Sequence, residues 1–248
     1  MLVENKFVFV KIPKNASTSV QNSFFLHDIK VDQGDAEINK RNELNIDRVK
    51  NRLENSTGDI ANYHQHIIEL YDKFPKEKYQ YIGIKRDSTD RFISAFKYIL
   101  YKIKYNNYKS KVDFFKFNEN DLIEYFTPIF QNHPYKNSNF MEYDENIHNI
   151  VREFFCEDDE FVKKSSWIML VKNFQSQYFW GVNELDYIFD FNNLHIFEEF
   201  ISKSLNKEFY LVHDNSSKSI DSKIKKTDKI EEFVYKFIDS PFLDKKLI

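Results

Sequence analysis

The sequence predicts a helix-rich α/β fold, a parallel sheet flanked by helices, and three observations predict it. Apolar runs of strand length recur at Phe7-Val8-Phe9-Val10, Tyr79-Gln80-Tyr81-Ile82-Gly83-Ile84 and Asp186-Tyr187-Ile188-Phe189-Asp190-Phe191. Apolar residues at helical spacing follow each run, and strands separated by helical crossovers pair in parallel. The chain also carries 26 Phe and 15 Tyr against only 4 Gly and 5 Pro, too few turn formers for an all-β architecture.

The elements follow in order. The first strand ends at Pro13, and the hydroxyl-rich segment after it is expected to supply N-cap side chains for a helix running on through Phe25. A helix start of this kind favours a phosphate-like anion, with Lys14 and the hydroxyls of Ser17, Thr18 and Ser19 close by. Residues 30–62 are polar and read as a surface segment, with a helix around 46–53. The second strand runs into Lys85-Arg86-Asp87-Ser88-Thr89-Asp90-Arg91, after which Phe92, Phe96, Ile99 and Ile103 share one helical face. Short helices are expected near 119–130 and 145–155. The third strand precedes a helix with Leu194, Phe197, Ile201 and Leu205 on one face. A polar loop at 214–219 leads to a closing helix marked by Ile230, Phe233, Val234 and Phe237. Ligands of such a sheet bind at the carboxyl ends of its strands.

Composition narrows the function. At 248 residues and 42% hydrophobic, the chain suits one domain spanning 1–248. A net charge of -3 argues against nucleic acid or an anionic membrane as a bulk partner, so an anionic ligand must be caught locally. The lone cysteine, Cys156, excludes an internal disulfide and a cysteine-rich metal site. No apolar run approaches the roughly twenty residues of a membrane span, and the first strand is too short for a signal peptide; a soluble, cytoplasmic protein is expected.

Two strand ends carry complementary chemistry, Lys14 with its hydroxyls at one, Arg86 and then Ser94 at the other. The pattern GxxxxGK[ST] is absent, since Lys14 precedes the hydroxyls by three positions and the loop holds no glycine. Ile12-Pro13-Lys14-Asn15-Ala16-Ser17-Thr18-Ser19 resembles the 5′-phosphosulfate loop of the carbohydrate sulfotransferases. The stretch from Arg86 through Arg91, Phe92 and Ser94 resembles their 3′-phosphate motif. Tyr63-His64-Gln65-His66 is similar to the Tyr-His-Gly-His segment of the heparan sulfate 2-O-sulfotransferase branch, with Gln65 in place of glycine. Weaker likeness covers 175–180, 186–197 and the tail around 213–218, so the resemblance spans nearly the whole chain.

The resemblance implies a sulfotransferase fold, a P-loop-like parallel sheet, and 3′-phosphoadenosine 5′-phosphosulfate (PAPS) as sulfuryl donor, leaving 3′-phosphoadenosine 5′-phosphate. Lys14, Asn15, Ala16, Ser17, Thr18, Ser19, Arg86, Ser94, Ser216 and Ser217 would bind the donor, with no metal. His66 would serve as base, with His64 orienting it or sharing the role, and Lys14 would assist the leaving phosphate. The implied acceptor is a hydroxyl of a carbohydrate or other small molecule, shaped by the variable region 105–170, in a bacterial or viral enzyme. Three departures from the family pattern stand out: Ser88 for proline, Lys11 for histidine, and Ala16 for glycine, which predicts ordinary backbone angles at Ala16. The rival readings are a P-loop-type nucleotide kinase using ATP and magnesium, and a module that binds nucleotide or sulfated glycan without turnover. Taken singly, the loop could be only a helix start, the histidines surface residues, and Arg86 to Arg91 a surface charge network.

Overall fold

The computed structural model describes residues 1–36, 39, 64–105, 112–132, 173–212, 220 and 222–243. The helices expected at 46–53 and 145–155 lie outside these residues, as do Tyr63, Cys156, Ser216 and Ser217. Contacts cluster into two compact units, Met1–Arg86 with Phe179–Asp214 (unit 1) and Asp87–Tyr178 with Asn215–Ile248 (unit 2).

Unit 1 holds the sheet. Its strands are β1 (Leu2–Val3), β2 (Phe7–Phe9), β3 (Val31–Asp32), β4 (Gln80–Lys85) and β5 (Tyr187–Asp190), in the order β3-β1-β2-β4-β5. The three strands read from the sequence are β2, β4 and β5, and they pair in parallel, Val8 opposite Tyr81 and Ile84 opposite Phe189. The sheet as a whole is mixed, because β1 runs antiparallel to both β2 and β3. That corrects the expectation of a wholly parallel sheet. The β1–β2 connection, Glu4 to Lys6, turns at Glu4 and Asn5, both with positive φ (45° and 54°), and Lys6 N–H donates to the Val3 carbonyl at 2.8 Å to close the turn. Neither residue belongs to the Asn-Gly type that would have announced the turn.

Alternation along the strands buries both faces of the sheet. Phe7, Phe9, Ile82, Ile84 and Phe189 face helices α1 (Ser17–Leu26) and α5 (Leu194–Leu205), packing with Val20, Phe24, Phe197 and Ile201. On the other face Tyr81 hydrogen-bonds the carbonyls of Leu70 and Phe74 at the end of α2 (Ile67–Lys73). Burial of that phenol pushes its pKa up to about 12.

Unit 2 is helical. Helix α3 (Ser88–Tyr105) begins where Asp87 accepts the Asp90 amide at 2.9 Å, so it starts ahead of the apolar period that predicts it. Its Phe92, Phe96 and Ile99 pack with Leu122 and Phe126 of α4 (Glu119–Asn132) and with Ile230 and Phe233 of α6 (Asp228–Val234). A π-helical turn, Tyr235–Asp239, continues α6 into the short α7 (Ser240–Leu243). Lys226 pairs with Asp87 at 2.9 Å and with Glu231 at 3.2 Å. Although burial opposes its charge, the Asp90 amide and Lys226 hold the Asp87 carboxyl below its ordinary value.

Candidate functional site

Parallel register brings the ends of β2, β4 and β5 to one edge of unit 1, where residues 10–16, Arg86 and Phe191 follow the strands. The first of these loops is held by buried contacts. Val10 N–H donates to the Ile82 carbonyl at 2.8 Å, and Asn15 Nδ2 donates to the Ile84 carbonyl at 2.7 Å. Asn15 therefore ties the loop to the end of β4.

The loop's backbone departs from the ordinary angles expected at Ala16. Lys14 and Ala16 both lie in the left-handed region, at φ 65° and 59°, with Asn15 between them on the ordinary side. Alternation of this kind turns successive amide groups toward one concavity, the geometry of a backbone anion nest. Ala16 is also the residue preceding α1, and no side chain caps the helix there. This corrects the expectation that a Ser or Thr hydroxyl would cap it. The first-turn amides, on Ser17, Thr18 and Ser19, have no acceptor within the helix and sit at its positive end.

Arg86 lies against the same loop. Its Nη1 donates to the Lys14 carbonyl at 3.2 Å, and its guanidinium carbon stands 4.3 Å from the centroid of Phe191. Stacking of this sort holds a guanidinium in place without neutralising it. Phe191, the residue after β5, had no assigned role in the sequence reading.

The two histidines precede α2, and the structure uses them differently. His66 is the N-cap of α2, its Nδ1 accepting from the Ile68 amide at 3.2 Å. An imidazole that accepts at Nδ1 carries its proton on Nε2. Phe179 packs edge-on against it, 4.8 Å between centroids. The Nδ1 lone pair of His66 thus has a structural partner, and burial holds its pKa below the ordinary value. His64 has the complementary tautomer. Its Nδ1 lies 2.7 Å from the Lys11 carbonyl, which can only accept, so the proton is on Nδ1 and the lone pair on Nε2. Gln65, between them, is buried and faces away from both, with Gln33 and Lys73 in reach of its amide.

Lys11, known from the sequence only as a departure from the family pattern, is the unforeseen group. It is 3% exposed, its Nζ donates to Gln21 Oε1, and burial pulls its pKa down to about 7. Gln21 Nε2 and the indole Nε1 of Trp180, whose ring lies 6.1 Å from that of His64, are buried donors with no partner. An oxygen-bearing, anionic ligand would meet these two donors. No sequence pattern would have found Gln21 or Trp180, because each is distinguished only by what surrounds it.

Comparison with protein-family models, with curated proteins and with solved structures finds no match.

Of the residues expected to bind the donor, Lys14 to Ser19 and Arg86 are brought together in unit 1, Ser94 lies on α3 of unit 2, and Ser216 and Ser217 fall outside the described residues. Among the described residues no group of three or more His, Cys, Asp or Glu side chains could hold a metal, and no helix is long and apolar enough to cross a membrane.

Proposed function

We propose that the protein is a sulfotransferase that takes the sulfuryl group from PAPS and gives it to a hydroxyl of a carbohydrate or other small acceptor. The observation that carries this reading is the convergence, at the carboxyl ends of the parallel strands of a mixed sheet, of a left-handed loop, a helix start with no side-chain cap and Arg86 with a histidine whose lone pair is on Nε2.

The loop amides, the hydroxyls of Ser17, Thr18 and Ser19 and the Lys14 ammonium fit the 5′ phosphosulfate, and Arg86 fits a phosphate by its planar donor fork. PAPS supplies the activated sulfuryl group. Lys14 offsets charge as it develops on the departing phosphate oxygen. His64 takes the acceptor's proton at Nε2, and the Lys11 carbonyl stabilises the resulting imidazolium through Nδ1–H. His66 spends its ring lone pair, on Nδ1, on the start of α2, so in this reading its role shifts from base to positioning of His64.

Thermal unfolding with ligand separates this reading from a nucleotide kinase. At about a hundred times its Kd, 3′-phosphoadenosine 5′-phosphate adds about 2.7 kcal/mol and raises Tm by several degrees, whereas ATP with magnesium does less. Equal or greater stabilisation by ATP and magnesium refutes the donor assignment. Release of that bisphosphate from PAPS only when an acceptor is added separates an enzyme from a binding module.

A further inference from the structure

Lys11 stands at the base of the loop that precedes α1, with its amine inside the protein. Its carbonyl lies 2.7 Å from His64 Nδ1, and the chain after it turns back on itself, Asn15 N–H donating to the Ile12 carbonyl at 3.3 Å. Its side chain reaches α1, where Nζ donates to Gln21 Oε1. Gln21 is four residues, about 6 Å of helix, past Ser17 in the first turn. The amine therefore lies little more than one turn from the amides that face the loop.

Among the described residues no anion offsets that amine. Helix α1 carries no ionisable side chain from Ser17 to Leu26, and Gln21 offers only an uncharged oxygen. The Met1 amine beside β1 is held near 4 by its own burial and is uncharged; Lys11 and Lys73 of α2 push it down, and Asp32 of β3 opposes them. His64, ahead of α2, turns Nδ1–H to the Lys11 carbonyl, and Lys14 and Arg86 at the loop are cations. No carboxylate of the described residues acts on Lys11, and burial alone brings its pKa to about 7.

An anion in the loop supplies the missing charge. At this spacing it stands within the roughly 10 Å over which salt leaves charges unscreened, and it favours the ammonium over the amine. We propose that Lys11 is a charge-compensating residue of the donor site, neutral at mildly alkaline pH while the loop is empty and protonated once an anion occupies it. The inference rests on the loop being the anion site of the sulfuryl-transfer reading, and it adds that the donor arrives together with a proton from solvent. Above pH about 7 the liganded protein then holds more protons than the free protein, so affinity falls as pH rises, by up to about tenfold per unit. Below that pH Lys11 is charged in both states, and its effect on affinity levels off.

Calorimetric titration of the full-length chain at pH 8, in two buffers of different ionisation enthalpy, counts the protons. The probes are 3′-phosphoadenosine 5′-phosphate and inorganic sulfate; sulfate does not titrate there, and the nucleotide's phosphates, with a second pKa near 6, are already ionised. Wild type is expected to take up about half a proton or more per ligand and Lys11→Met about none, and from pH 7.5 to 8.5 the Kd for the nucleotide should rise about threefold or more in wild type and less than about twofold in the variant. Binding without proton uptake, or equal uptake by Lys11→Met, overturns the inference and leaves the donor reading standing. Sulfate bound with uptake while the nucleotide does not bind overturns the donor reading alone, and failure of both to bind overturns both. Should the variant not fold, the Cε chemical shift of Lys11 in wild type decides: a change from amine to ammonium on adding nucleotide supports the inference, and an unchanged shift overturns it.

Discussion

Replacing Lys11 by Met tests whether the amine at the candidate site is truly held in a medium that disfavours its charge. In the unfolded chain the amine keeps its proton up to its ordinary pKa of 10.5, whereas in the folded protein burial releases it near 7. Between those values the unfolded state binds more protons, so stability rises with pH, by up to about 1.4 kcal/mol per unit. From pH 7.5 to 9.5 the contribution of Lys11 comes to about 2.5 kcal/mol. The window lies below the ordinary tyrosine value of 10, where raised pKa values at Tyr71 and Tyr81 would begin to lower stability. Urea unfolding of wild type and Lys11→Met across this range isolates the effect, because the Met1 amine, which Lys11 also pushes down, is held near 4 and is already neutral in the folded chain there. The difference between the two curves should shrink by about 2.5 kcal/mol from the low end to the high. Parallel curves would show that Lys11 is as well solvated folded as unfolded, and the buried-donor account of the site would fail.

Other substitutions separate the roles of neighbouring residues. His64→Gln should lower kcat for sulfuryl transfer by about 10²-fold or more with little change in KM for PAPS; a loss of less than tenfold would remove it as base. His66→Gln should cost about 1 kcal/mol of stability by loss of the cap, seen in urea unfolding, with turnover reduced far less than in His64→Gln. A larger kinetic defect in His66→Gln would return the base to that position. Ala16→Gly should match or exceed wild-type stability by about 1 kcal/mol, since relief of a left-handed alanine offsets the added chain entropy; a clear loss would contradict the loop geometry. Gly181→Ala should lose about 3 kcal/mol in the same measurement, because φ is 86° and its Cβ would stand 2.3 Å from Ile67 Cγ2, one residue past His66. Unchanged stability there would mean that α2 can shift freely.

The three parallel strands and the helices after them were legible because period and length agreed: Leu194, Phe197, Ile201 and Leu205 place α5 at Leu194–Leu205. The antiparallel edge was not, since β1 and β3 are two residues each and the Glu4-Asn5 turn has no glycine. Residue types also drew the eye to the loop and to the histidine pair. What they could not carry was local geometry. Ala16 has no intrinsic taste for left-handed angles, and only the pull of Asn15 on the Ile84 carbonyl and of Val10 on β4 makes that conformation the available one. Nor can a spacing of two distinguish His64 from His66, because their roles depend on which backbone group each ring nitrogen meets.

The costs in unit 1 have different causes in different places. Two left-handed non-glycine residues at about 1 kcal/mol each, a buried lysine and two unpaired buried donors all lie along or beside one edge of the sheet. Left-handed residues also stand away from that loop, Glu4 and Asn5 in the β1–β2 turn, Asp28 after α1 and Asn206 at the end of α5, where a tight turn or a helix end uses that conformation. A chain selected only to fold would replace Lys11 and Ala16 readily, since methionine and glycine relieve them without changing the architecture. Their presence there, together with donors that lack acceptors, fits an edge whose energetics are completed by a bound anion. His66 serves the same end by a different route. With its Nδ1 engaged by the Ile68 amide, it fixes the start of α2, and two residues back along the chain it fixes where His64 can stand.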